Sequence, residues 1–173
     1  AMHVLVATDG HLDAAAVAKF SAPLAGPDGK VTVLTVIEVP RAMLQELQDH
    51  FSDQPPPKLR MEDPETVTAD PPEAPRSWPG DDAIIEQYLQ SKRFDICEPL
   101  VSALRQTGVT AASMVVEGPA DKGILSTAKQ LSADVIVIGP RGMGFFEGLL
   151  GSTGTKVTRL AKRPVLLLRN ADS

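Results

Sequence analysis

Five short apolar runs, each bounded by turn residues and separated from the next by a stretch of helical character or an irregular segment, restrict this chain to few architectures. Residues 3–8 (HVLVAT), 31–37 (VTVLTVI), 112–116 (ASMVV), 134–138 (DVIVI) and 165–168 (VLLL) are rich in β-branched or aliphatic residues and too short for helices. Their nearly unbroken apolar character is that of strands buried on both faces, as in a parallel sheet. The stretches between them read as helices. Over 12–25 the residues Ala15, Ala16, Ala18, Phe20, Ala22 and Leu24 suit a helix stopped by Gly26-Pro27-Asp28-Gly29. A longer helix starts with Asp81 or Asp82 as its cap and carries Ile84, Ile85, Leu89, Ile96, Leu100, Val101 and Leu104 to Gly108, with Pro99 as a kink. A third helix runs to Leu131 with Pro119 in its first turn, and a fourth covers 152–161. Strands alternating with helices give an α/β fold: a parallel sheet covered by helices on both faces.

At 173 residues and 43% hydrophobic the chain reads as a single domain, 1–173, with one core-forming unit. A Pro-rich insertion at 41–80 interrupts it. Eight of the 15 prolines fall between 54 and 79, with almost no aliphatic residues, so that stretch is expected to be a mobile surface segment, preceded by a short helix at 41–51. The net charge of −5 disfavours non-specific binding to nucleic acid or to an anionic membrane. One cysteine, Cys97, and no apolar stretch of bilayer-spanning length point to a cytoplasmic protein, with the lone thiol read as packed rather than reactive.

The fourth run leads directly into GPRGMGFFEGLLGST, residues 139–153, which holds five glycines. In an open parallel sheet, ligands sit beyond the carboxyl ends of the strands, where helix N-termini present free N–H groups to anions. This loop has that position, and Gly151-Ser152-Thr153 opens a helix toward it with amides and hydroxyls. Two phosphate motifs do not match. The dinucleotide fingerprint meets Gly142 and Gly144 but fails at Glu147, and the P-loop lysine position is a threonine in Gly154-Thr155-Lys156. No nucleophile elbow, histidine ligand spacing or evident carboxylate pair specifies catalysis.

The loop resembles that of the universal stress protein family, whose nucleotide-binding members carry G-x2-G-x9-G-[S/T]. Gly139-Pro140-Arg141-Gly142 and Gly151-Ser152 align with its ends, with eight residues between Gly142 and Gly151, one fewer than the family spacing. Segments 4–10, 33–38, 117–139 and 163–166 are similar to the family as well, so the resemblance covers nearly everything except the insertion. It implies an open five-stranded, Rossmann-like parallel sheet of strand order 3-2-1-4-5, and an adenine nucleotide at the carboxyl ends of strands one and four. ATP is the first expectation, with AMP or cyclic AMP as alternatives and Mg2+ as a companion ion. By the same resemblance Asp9 accepts hydrogen bonds from the nucleoside, and Val36 lines the adenine slot. Ile138 and Gly139 run along the base and ribose, while Gly142, Gly151, Ser152 and Thr153 cradle the phosphates. Arg141 either pairs with phosphate or points to solvent. Asp9 also suits a simple turn, and Ser152 a helix N-cap. The family resemblance further implies a stress-response regulator that forms a homodimer through its last strand. The alternatives are a dimeric interaction module that binds no nucleotide and a weak ATP hydrolase.

Overall fold

Successive residues of a strand point to opposite faces of the sheet, and the first strand uses this to join two cores. In the computed structural model, which describes residues 1–38, 79–139 and 152–169, strand β1 (His3–Ala7) is buried throughout. Val4 and Val6 enter one core, and Leu5 and Ala7 the other. Helices α1 (Ala14–Ala25) and α2 (Pro79–Gln106) cover the first core with Val17, Cys97, Leu100 and Leu104. Helices α3 (Ala120–Gln130) and α4 (Ser152–Leu160) cover the second with Ile124, Ala128 and Val157. Leu5, Leu34, Leu104 and Ile136 are fully buried, each contributing about 2 kcal/mol through removal from water.

The remaining strands are β2 (Lys30–Ile37), β3 (Thr110–Glu117), β4 (Val135–Ile138) and β5 (Val165–Leu167). All neighbouring pairs are parallel, in the order β3-β2-β1-β4-β5. That is the expected 3-2-1-4-5 sheet with helices on both faces. The chain divides into two compact units, Ala1–Glu38 with Leu89–Ser173, and Val39–Tyr88. The expected helix at 41–51 and all but the last two residues of the insertion at 41–80 lie outside the described residues.

Several helix starts differ from the sequence expectation. Helix α1 begins at Ala14, one residue after Asp13, whose Oδ2 accepts from the Ala16 amide at 3.1 Å. Among the described residues α2 is already helical at Pro79, so Asp81 and Asp82 lie within the helix rather than ahead of it. Pro119 is the N-cap of α3, with extended backbone, rather than a member of its first turn. Ser152 is already helical and so is not a cap.

At the amino end of the sheet, β1 is tied down by a reciprocal pair. The His3 amide donates to Asp134 Oδ2 at 2.7 Å, and the Asp134 amide donates to the His3 carbonyl at 2.8 Å. The imidazole is buried, with Nδ1 3.2 Å from the Leu131 carbonyl and Nε2 2.7 Å from Thr32 Oγ1. A carbonyl only accepts, so Nδ1 carries the proton and neutral Nε2 accepts from the Thr32 hydroxyl. Burial pushes the pKa of His3 below its ordinary 6.5, aided by Lys30 and opposed by the Leu131 hydrogen bond and by Asp134. The unfolded imidazole therefore binds a proton that the folded one resists. Stability from this group is fully present above pH 6.5 and is lost as pH falls below it toward the lower folded value. The unfolding midpoint is expected to fall between pH 7 and pH 5.5, and His3→Gln to flatten that part of the profile; an identical pH profile in the variant would contradict this. Cys97 is also buried, its thiol pushed up to about 11 chiefly by desolvation, with Arg93 acting against and Glu98 with the shift, so it is a packed neutral thiol.

Candidate functional site

Strand β1 pairs with β2 on one side and β4 on the other. The chain leaves β1 for α1 over the first core, and leaves β4 toward α4 over the second. Connections that diverge to opposite faces open a crevice at the carboxyl ends of the strands. A cavity of about 280 Å³ lies there. Ala7, Thr8, Leu34, Val36 and Ile138 contribute from the strand ends. Gly118, Ala120 and Ile124 line it from the start of α3, Thr153 and Gly154 from the start of α4. Leu12, Gly139, Asp9 and Glu38 complete it.

The turn after β1 is held by nested hydrogen bonds. The Thr8 amide donates to Leu34 O at 2.9 Å, extending the ladder by one residue beyond the strand. Thr8 Oγ1 then accepts from the Gly10 amide at 3.1 Å, and Asp9 Oδ1 accepts from the His11 amide at 3.2 Å. Gly10 has φ +101°, a left-handed conformation that glycine adopts without strain. One Asp9 carboxylate oxygen is thus committed to the turn. Across the cavity, the Gly118 amide donates to Ile37 O at 3.0 Å with φ +133°, which brings the β3–α3 connection alongside the end of β2.

Two glycines permit close approaches. A side chain at Gly139 would run into the side chain of Leu12. A Cβ at Gly123 would stand 2.7 Å from Val36 Cγ1 and 2.9 Å from Cγ2, so α3 lies directly against the cavity-lining end of β2. The lining is apolar toward β2 and α3. Toward β4 and α4 it is lined by Gly139, Thr153 and Gly154, the last two near the amino end of α4, where the helix dipole is positive. Among the described residues, the charged groups at the cavity are the two carboxylates Asp9 and Glu38.

Of the residues singled out from the sequence, Asp9, Val36, Ile138, Gly139 and Thr153 are brought together here. Ser152 is exposed and does not line the cavity, while Arg141, Gly142 and Gly151 lie outside the described residues. Glu38, Gly118 and Ile124 were not anticipated as site residues. The signal for Glu38 was its position immediately after the second strand run, equivalent to that of Asp9 after the first.

The profile of the universal stress protein family matches residues 1–169. Over 86 residues the chain is 33% identical to universal stress protein YxiE of Bacillus subtilis, a match that covers 49% of this chain and 58% of that protein's length. Hypothetical protein MJ0577 is similar in structure, with a TM-score of 0.64 at 17% identity, covering 99% of this chain and 98% of that one. A universal stress protein family protein of Arabidopsis thaliana with AMP bound gives a TM-score of 0.57 at 16% identity, over 99% of this chain and 93% of that one. With the family profile spanning nearly its whole length and this sheet beneath it, the chain belongs to the universal stress protein family.

Proposed function

We propose that the cavity at the switch point binds an adenine nucleotide and that the protein is a stress-response regulator whose partner contacts change with occupancy. The observation that carries this is the convergence of Asp9, Val36, Ile138, Gly139 and Thr153 on one cavity between β1 and β4. Its volume is at the lower end of small-molecule sites, enough for a nucleoside with the phosphates leading outward. The relative with AMP bound supports the choice of adenine. In this reading Asp9 accepts from the nucleoside with its remaining carboxylate oxygen. The start of α4, with Ser152 and Thr153, joins Arg141, Gly142 and Gly151 around the phosphates. ATP, with Mg2+, is the first candidate; AMP and cyclic AMP follow.

The same reading makes the protein a cytoplasmic homodimer joined through β5. β5 is an edge strand, and it borders an apolar groove with Phe20 and Leu24, which are 46% and 37% exposed. No described helix is long and apolar enough to cross a membrane.

Thermal unfolding with ATP, ADP, AMP and cyclic AMP, each with and without Mg2+, tests the proposal. A ligand at about 100 times its Kd adds roughly 2.7 kcal/mol to the native state. For a chain of this size that raises the midpoint by about 5–11 °C. The shift is expected for at least one adenine nucleotide and is expected to be lost in Asp9→Ala. No shift at millimolar nucleotide, in protein shown to be nucleotide-free, would favour the dimeric interaction module instead.

A further inference from the structure

The two ends of the cavity differ in chemistry, and the difference gives a bound nucleotide a direction. β2 and β4 flank β1, so their ends stand two strand spacings apart, about 10 Å. At the β4 end are Gly139, Thr153 and Gly154, the last two near the amino end of α4, whose positive dipole end suits an anion. At the β2 end are Val36, Ile124 and Ala120, which suit the faces of a planar ring, and beside them the carboxylate of Glu38. The Gly118 amide is bonded to Ile37 O, so Glu38 and the start of α3 lie beside each other at this end of the cavity, and Asp121 adds a second acidic residue in the first turn of α3. Phosphate is favoured at the α4 end and repelled at the Glu38 end. The base therefore sits against β2.

Glu38 is exposed at the rim, and among the described residues its carboxylate has no hydrogen-bond or ion-pair partner. An ionised carboxylate only accepts hydrogen bonds, so on nucleotide binding Glu38 can exchange water for a donor on the edge of the base. Adenine presents one such group, its exocyclic 6-amine. We infer that Glu38 is the specificity-determining residue of this site and reads the 6-amino group of the base. This rests on the nucleotide reading of the cavity. It adds that selectivity at the base comes from the side chain of Glu38, which composition and motif do not mark.

The test compares AMP with purine riboside 5′-monophosphate, which lacks just the amine, by calorimetric titration of the full-length protein and of Glu38→Ala and Glu38→Gln. A hydrogen bond to a charged group at a partly wet rim is expected to give the wild type about a tenfold preference for AMP. Glu38→Ala is expected to bind both ligands about equally. Glu38→Gln, whose amide oxygen still accepts, is expected to retain part of the preference. Because Glu38 is exposed, both variants are expected to keep the unfolding midpoint of the wild type. An unchanged preference in Glu38→Ala would overturn the inference. So would tighter binding of GMP than of AMP, since a carboxylate can also accept from the N1–H and 2-amino groups of guanine. Loss of discrimination between ribose and 2′-deoxyribose, with the amine preference intact, would overturn it by assigning Glu38 to the sugar. A wild type that binds none of these ligands, nor ADP or ATP with or without Mg2+, would refute the nucleotide reading itself, and this inference with it.

Discussion

Gly29→Ala is expected to destabilise the protein by about 3 kcal/mol, although it adds one methyl group, because the turn position it occupies is buried. Gly29 joins α1 to β2 where three chain segments meet. The Met2 amide donates to Ala25 O at 3.0 Å, the Lys30 amide to Met2 O at 3.1 Å, and the Gly29 amide to Gly26 O at 3.2 Å. A Cβ at Gly29 would collide with the carbonyl oxygens of Ala25 and Met2. Both are backbone atoms and cannot rotate away as a side chain would. The turn must shift, and the bonds that start the β1–β2 ladder shift with it. A midpoint lowered by about 6–12 °C is expected in thermal unfolding. A variant within 1–2 °C of wild type, roughly the scatter of neutral surface substitutions, would show that the turn relaxes freely.

Gly123→Ala is expected to weaken nucleotide binding by about tenfold or more and to destabilise the fold by about 1–2 kcal/mol. In an ordinary exposed helix the same change would stabilise by about 1 kcal/mol, because alanine has the higher helix propensity. Here the sign reverses. The new Cβ would stand 2.7 Å from a methyl of Val36, a β-branched residue with few alternative rotamers. Either Val36 turns into the cavity or α3 moves outward, and both alter the slot between Val36 and Ile124. Val36→Ala in the same chain removes the obstructing methyls. The double variant is expected to regain most of the stability lost in Gly123→Ala, a non-additive result that a propensity effect would not give. Equal stability losses in the single and double variants would contradict the contact.

What could be read from the sequence divides by the range over which each feature is determined. The five strands are marked by β-branched and aliphatic runs, and β1 shows why: Val4 and Leu5, adjacent in sequence, enter different cores, so from Val4 to Ala7 both faces are apolar. The end of α1 was equally legible in Gly26, whose φ of +75° stops the helix. Helix starts were less so. Asp81 and Asp82 are good cap residues by type, yet α2 has already begun at Pro79, and local sequence offers both choices. Strand order came from family resemblance, because no residue of β1 records that its neighbours are β2 and β4.

The cavity follows the same division. Asp9 and Gly139 announce themselves as polar or glycine residues at strand ends. Glu38 resembles a strand's exit to solvent until parallel pairing of β2 with β3 brings Gly118 and Ala120 beside it. Gly123 reads as a defect in a helix until Val36 is seen facing it. Both depend on contacts between residues some eighty positions apart in the chain.

Titration of isotopically labelled protein with AMP, followed amide by amide by NMR, tests the nucleotide site most directly. The largest shifts are expected at Thr8–Gly10, at Val36–Glu38, at Gly118 and Ala120, and at Gly139 and Thr153, saturating together with one Kd. Saturable shifts confined to another surface, or none at millimolar AMP, ADP or ATP in nucleotide-free protein, would contradict a nucleotide site between β1 and β4.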